Sequence, residues 1–293
     1  MTRIGLLNLD VSPSGLNQMV HAIISEVEDY NVMGIEMDRF KNEFHVRDLR
    51  EACDAYHYPI LKPIPSRNTL AFQQVLSGFD AVVMIGTGNS YHFVKEITKQ
   101  ISETRFLFVP VSIHNDIEGS DISLGYDTAI NAIIENTLKV RDTIQSLKYD
   151  SPRLFGVQLP GQVPTEMLEE LSLAVEGYFL PYNWNRLHQI QLEQALRNDF
   201  SSGKTFSFLF FDDRIEPSQL PNTILPTLDF DWKVIKLDEA ICMGQNPTAL
   251  DRILAMKFAS QVVNWIHSDW QSGSLNIFRR NVFFEEMTAK TSI

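Results

Sequence analysis

Apolar residues in this chain follow two rhythms. Continuous runs, "RIGLLNL" at 3–9, "DAVVMIG" at 80–86 and "RFLFVPV" at 105–111, read as buried strands. Between them, apolar positions recur every three or four residues. Leu16, Met19, Val20, Ile23, Ile24 and Val27 predict a helix after the turn "DVSPSG". A strand is expected near 32–36, and a helix from about Tyr91 after the turn "TGNS". From Asp127 to Lys148, with Ile130, Ile133, Ile134 and Leu138 on one face, the spacing predicts a long helix. Such alternation of strand, turn and helix implies a parallel sheet with helices on both faces, and ligands at the carboxyl ends of its strands.

A second series begins at "SPRLFGVQLPG" (151–161), with helical patterns at 164–176 and 187–201. "TFSFLFFDD" (205–213) reads as a buried strand delivering two carboxylates to its end, and "WKVIKL" (232–237) as another strand. The stretch 216–226, with Pro217, Pro221 and Pro226, reads as a loop. The last long helix is expected from about Pro247 to His267, with the proline in its first turn. The fold class is therefore α/β with mostly parallel sheets. Two series of elements are thus read, one over 1–150 and one from 151 on.

With 293 residues, 44% of them hydrophobic, the chain can bury one large core or two moderate ones. A net charge of -12 argues against nucleic acid as a partner, and Arg279-Arg280 reads as solvated surface. The two cysteines, Cys53 and Cys242, have neither disulfide-framework nor metal-ligand spacing, which suggests a reducing compartment. "MTRIGLLNLD" does not read as a signal peptide, and no apolar run has membrane-spanning length. A soluble cytoplasmic protein is expected. No internal repeat is visible.

Candidate chemistry concentrates in "VPVSIHNDIEGSD" (109–121), a strand running into an acidic, glycine-containing turn centred on His114. A histidine there can serve as a general base or contact a phosphate, or simply occupy a turn. Asn115 and Asp116 also suit turn chemistry.

The longer stretch "VSIHNDIEGSDISLGYDTAINAIIENTLKVRDT" (111–143) resembles the substrate-binding segment of the 6-phosphofructokinase family. In family order, "SGLN" (14–17) stands for Pro-Gly-Met-Asn, and "IGTGNSY" (85–91) for Ile-Gly-Gly-Asp-Gly-Ser-Tyr. "RLFGVQLPG" (153–161) lies near the family's Arg-to-Met-Gly-Arg segment, and "GQNPTALDRILA" (244–255) matches its Gly-Ser-Pro to Asp-Arg-Ile-Leu-Ala run. The resemblance implies two similar three-layer α/β lobes with the site between them. By that resemblance, 1–150, with elements from about 250 packing back on it, would be the larger, nucleotide-side lobe and 151–250 the smaller, sugar-phosphate-side lobe. It also implies an oligomer, and phosphoryl transfer from ATP or pyrophosphate to fructose 6-phosphate. His114 takes the place of the family's catalytic aspartate. Ser112, Asn115, Asp116, Arg153 and Asp213 (or Asp212 in the adjacent register) fall at substrate-contacting positions. Gly86, Gly88 and Ser90 fall in the cofactor loop.

Several of the family's reactive letters are missing. Its first glycine pair falls on Asp10 and Val11, which places a branched side chain and a carboxylate toward the polyphosphate. Gly88 replaces the aspartate that holds Mg²⁺, so no metal ligand set is read from the chain. Family cations become Gln162, Ala240 and Met243. Arg153 matches an arginine offered to a neighbouring subunit, with an interface ion pair as the alternative. Asp251 and Arg252 are retained, on a helix where they also suit packing and surface pairing.

Losing a base or one charge-stabilising donor costs about 10²–10⁴ in rate. The leading expectation is therefore a pseudoenzyme without a cofactor, a regulatory or structural subunit joined to copies of itself or to an active phosphofructokinase. One alternative is an active enzyme using Mg²⁺ with ATP or pyrophosphate, His114 as base and Asp10 or Asp116 as a replacement metal ligand. The other is a sensor that binds a nucleotide or sugar phosphate without turning it over.

Overall fold

Both rhythms resolve into alternating strands and helices. The computed structural model describes residues 2–38, 40–41, 43–53, 61–64, 69–145, 151–244 and 246–287. The elements run β1 (Arg3–Asn8), α1 (Leu16–Glu26), β2 (Asn31–Asp38), β3 (Glu43–Asp48), α2 (Leu49–Cys53), α3 (Thr69–Leu76), β4 (Ala81–Gly86), α4 (Gly88–Thr98), β5 (Arg105–Pro110) and α5 (Tyr126–Gln145). They continue with β6 (Arg153–Leu159), α6 (Thr165–Ala174), β7 (Tyr178–Phe179), α7 (Arg186–Ser201), β8 (Phe206–Asp212), β9 (Asp231–Lys236), α8 (Glu239–Cys242), α9 (Ala249–His267), β10 (Gly273–Phe278) and β11 (Asn281–Glu286). Backbone packing divides the chain into one unit of Met1–Thr128 with Gln245–Ile293, and another of Ala129–Gly244. The boundary expected near residue 150 falls on 146–150, outside the described residues.

The first unit carries a seven-stranded sheet in the order β11-β10-β5-β4-β1-β2-β3. Its five inner strands run parallel, and β3 and β11 lie antiparallel at the edges. Strand side chains alternate between two apolar layers. Ile4, Leu6, Val83, Ile85, Leu107 and Val109 join the core with α1 and α9. Leu7, Val82, Met84, Phe106 and Phe108 join the opposite one with Phe72 and Leu76 of α3 and Val94 and Ile97 of α4. Burial on both faces is why these strands read as unbroken apolar runs.

The second unit has a parallel four-stranded sheet, β7-β8-β6-β9. Here Gly156 lies under aromatic rings. A Cβ on it would fall 2.3 Å from Trp232 Cη2 and 2.8 Å from Phe211 Cε1. Those two rings are themselves stacked, with centroids 6.4 Å apart. Gly156→Ala is expected to cost about 1–3 kcal/mol by overpacking, with a shift in Trp232 fluorescence. An unchanged denaturation midpoint and spectrum would show that the rings yield freely.

The sequence reading needs four corrections. The helix expected from Tyr91 begins at Gly88. The last long helix begins at Ala249, with Thr248 as N-cap (its Oγ accepts from Asp251 N at 3.4 Å), so Pro247 precedes the helix. The loop expected at 216–226 contains a short π-helical turn, Leu220–Ile224, with Pro221 at its start, where no N–H is needed. Finally, the hairpin β10–β11 gave no recognised signal. Its turn residues Arg279 and Arg280 adopt φ of 50° and 62°, a region usually filled by Asn or Gly.

Candidate functional site

The site begins where β1, β4 and β5 end. Buried Asn8 closes β1: its Nδ2 donates to Ser12 Oγ at 2.9 Å, and its Oδ1 accepts from Asp10 N at 3.3 Å. The following residues part company. Val11 packs against the core beneath α1 and α9. The Asp10 side chain crosses to the loop after β4, where Oδ2 accepts from Thr87 N at 2.9 Å, from Thr87 Oγ at 3.1 Å and from Ser90 Oγ. The expectation that Val11 turns toward a bound polyphosphate is thus corrected, while the Asp10 carboxylate lies at the loop before α4. Gly86 makes the approach possible, because a Cβ there would lie 2.9 Å from Asp10 Oδ2 and 3.1 Å from Ser90 Cβ. Thr87, the N-cap of α4, makes no side-chain capping bond to its own helix, and an acceptor for its amide comes from Asp10, in the loop after β1.

After β5, the chain folds onto itself. Buried Ser112 accepts from His114 N at 2.9 Å and donates to Asp116 Oδ1 at 2.5 Å. Asn115 takes φ 57°, tolerated by asparagine. Its Nδ2 donates to Asp121 O at 3.4 Å, and its Oδ1 accepts from Ser123 Oγ at 3.2 Å. Gly88 lies beside this turn: a Cβ there would sit 3.4 Å from Asp116 O. Gly86, Gly88, Ser90, Ser112, His114, Asn115 and Asp116 therefore all belong to the β4 and β5 ends of one sheet.

Arg153 and Asp213 belong to the second unit. Arg153, at the start of β6, forms an ion pair with Asp231 directly across on β9, and its guanidinium carbon lies 5.8 Å from the Phe155 ring centroid. Exposed Asp213 accepts from Gly161 N at 2.9 Å. Its neighbour Asp212 is fully buried, and accepts from Arg214 Nε at 2.8 Å and Val163 N at 3.3 Å. The Asp212 carboxylate raises the Arg214 pKa against the effect of burial. Arg214, which sits 4.4 Å over the Tyr182 ring, escaped the sequence reading. An arginine two residues after a strand-end carboxylate was the available signal. Burial, reinforced by Asp238 and Glu239, pushes the Cys242 thiol up to about 12, which disfavours the thiolate.

The chemistry open to the β1, β4 and β5 ends follows from these bonds. A magnesium–polyphosphate group requires carboxylate oxygens for the metal and donors for the phosphates. Gly88 offers no oxygen from a side chain. Asp10 Oδ2 and Asp116 Oδ1 are engaged by the loops' own donors. Among the described residues, no group of three or more His, Cys, Asp and Glu could hold a metal ion. The residues present do not fit that group. Also among the described residues, no helix is long and apolar enough to cross a membrane.

Comparison with known proteins sharpens the picture. The family model described as Phosphofructokinase matches residues 61–266. The ATP-dependent 6-phosphofructokinase of Staphylococcus carnosus (strain TM300) is 28% identical over 187 residues, covering 64% of this chain and 56% of the relative. The chain thus matches little more than half the length of that relative. The protein of the same name from Staphylococcus aureus (strain JH9) is 24% identical over 284 residues, covering 90% of this chain and 85% of the relative. Among solved structures, phosphofructokinase from Saccharomyces cerevisiae superposes with a TM-score of 0.78 at 17% identity, covering 98% of this chain and 44% of the other. Pyrophosphate-dependent phosphofructokinase from Marinobacter aquaeolei gives 0.76 at 14% identity, covering 100% and 84%.

Proposed function

The chain belongs to the phosphofructokinase family, and from that premise we propose that it is a non-catalytic member, a regulatory or structural subunit that keeps the scaffold without the reaction. The observation that carries this reading is the charge of the strand-end loops. Segments 9–15, 86–91 and 111–125 contain no Lys or Arg, while they contain Asp10, Asp116, Glu118 and Asp121. Phosphoryl transfer depends on cations or a held metal to stabilise charge on the moving group. Without a held metal, carboxylates in that place repel it. His114 remains as a base, but proton abstraction alone supplies about 10²–10⁴ of rate, well short of what positioning and charge stabilisation contribute together.

The partner in this reading is a second copy of the chain or an active phosphofructokinase. Support comes from the family-type fold, shared with phosphofructokinases over 98–100% of this chain. Purified protein is expected to show no turnover of fructose 6-phosphate with either ATP or pyrophosphate above a heat-killed control, in an assay coupled to the bisphosphate product. Turnover at ordinary enzyme rates, abolished by His114→Ala, would instead establish the active alternative. Recovery of a phosphofructokinase in stoichiometric amount by affinity capture from the source cell supports the mixed assembly. A single species whose mass is a multiple of this chain's supports self-association.

A further inference from the structure

We propose that Asp10 is a built-in anion that closes the start of α4 to phosphate, an inference that rests on the non-catalytic reading and gives it a physical cause. The free N–H groups and aligned peptide dipoles of a helix start favour an anion. In this chain Asp10 meets part of that requirement from within, at the Thr87 amide, while the Ser90 amide donates to Thr87 O. One carboxylate oxygen of Asp10 accepts from the Thr87 amide, the Thr87 hydroxyl and the Ser90 hydroxyl.

The arrangement is held from both sides. Asn8 Oδ1 accepts from the Asp10 amide, and Val11 is anchored in the core, so the side chain between them has little freedom to leave. On the α4 side, Gly86 leaves just the space the carboxylate fills, since a Cβ there would lie 2.9 Å from Asp10 Oδ2. A soluble phosphate must displace a tethered competitor that has no translational entropy to lose. It must also approach a group of its own charge. The Thr87 and Ser90 donors are therefore engaged from within the chain, and the mismatch with a magnesium–polyphosphate group is a built feature, more than a missing ligand.

The test is amide exchange of the segment around 85–95 in the full chain, with and without millimolar pyrophosphate, for wild type and Asp10→Asn. Wild-type exchange is expected to be slow and indifferent to pyrophosphate. Asp10→Asn keeps the size but removes the charge and places an NH₂ among donors. Its segment is expected to exchange about tenfold faster, as loss of a charge-assisted bond predicts, and to regain protection when pyrophosphate is added. Three results would overturn the proposal: protection of the wild-type segment by pyrophosphate, wild-type exchange rates in the variant, or fast exchange in the variant that pyrophosphate does not slow. Should the variant fail to fold, the wild-type arm still decides. Fructose 6-phosphate turnover by wild type would refute the non-catalytic reading on its own, whatever the exchange pattern.

Discussion

Asp251→Ala is expected to lower the unfolding free energy by about 3–4 kcal/mol, read as a fall in the denaturant midpoint. This carboxylate is fully buried, and it serves two helices. Its Oδ1 accepts from Gly125 N at 2.7 Å, and its Oδ2 from Thr128 N at 2.8 Å and Thr128 Oγ at 2.5 Å. These donors belong to the start of α5, while Asp251 lies in the first turn of α9. Thr128 Oγ in turn accepts from Thr248 N at 3.0 Å. Alanine would strand the Gly125 and Thr128 amides away from water. Neither can turn aside easily: Gly125 has φ +103°, and a Cβ on it would meet Pro13 Cβ at 2.4 Å. A loss under 1 kcal/mol would mean that water enters and replaces the carboxylate.

The same residue gives a signed pH dependence. Burial pushes its carboxyl above the ordinary value of 3.8, with Asp127 adding to the rise, against the opposing bonds from Thr128 and Gly125. The folded state then binds the proton more tightly than the unfolded chain. Its contribution is fully present below about 3.8 and declines as pH rises through the folded value. Asp251→Asn cannot titrate. The stability of wild type relative to that variant should therefore fall from pH 3 toward neutrality, then level off. A rise over the same interval would show that the hydrogen bonds outweigh burial.

Trp265→Ala is expected to cost about 3–5 kcal/mol, the range for emptying a buried aromatic site. The indole is fully buried in α9, among Phe258, Val262 and the inner strands. Its Nε1 donates to Gln271 O at 3.0 Å. The Arg105 guanidinium lies 4.9 Å from its ring centroid and, from there, donates to Ser268 O at 2.7 Å and Trp270 O at 3.0 Å just past the helix end. Deleting the ring leaves a cavity and frees the cation that holds the carbonyls. Trp265→Phe should recover most of the loss, because it refills the volume. Equal destabilisation by both variants would assign the effect to the indole N–H.

The parts of the fold legible in the sequence were those with strong local signals. β1, β4 and β5 are buried on both faces, so their composition alone marks them, and α1 displays its apolar stripe at helical spacing. β10–β11 was not legible because its turn carries Arg279-Arg280 with no Asn or Gly. Contacts from distant segments support that turn, with Arg279 N donating to Asp121 Oδ2 at 2.6 Å and Lys257 Nζ to Arg280 O at 2.5 Å. The site followed the same rule. That Gly88 removes a carboxylate could be read directly from the letters. The direction of the Asp10 side chain could not, since Thr87 and Ser90 lie 77 and 80 residues away.

The parallel pairing of β5 with β10 also sets a clock on synthesis. Phe106 N reaches Ser272 Oγ across 166 residues of chain, and Leu107 faces Gly273 in the ladder. At about 5–20 residues per second, a growing chain carries β5 for roughly ten to thirty seconds before its outer neighbour emerges from the ribosome. Through that interval the outer edge of β5, which carries Phe106, Leu107, Phe108 and Val109, awaits its strand partner.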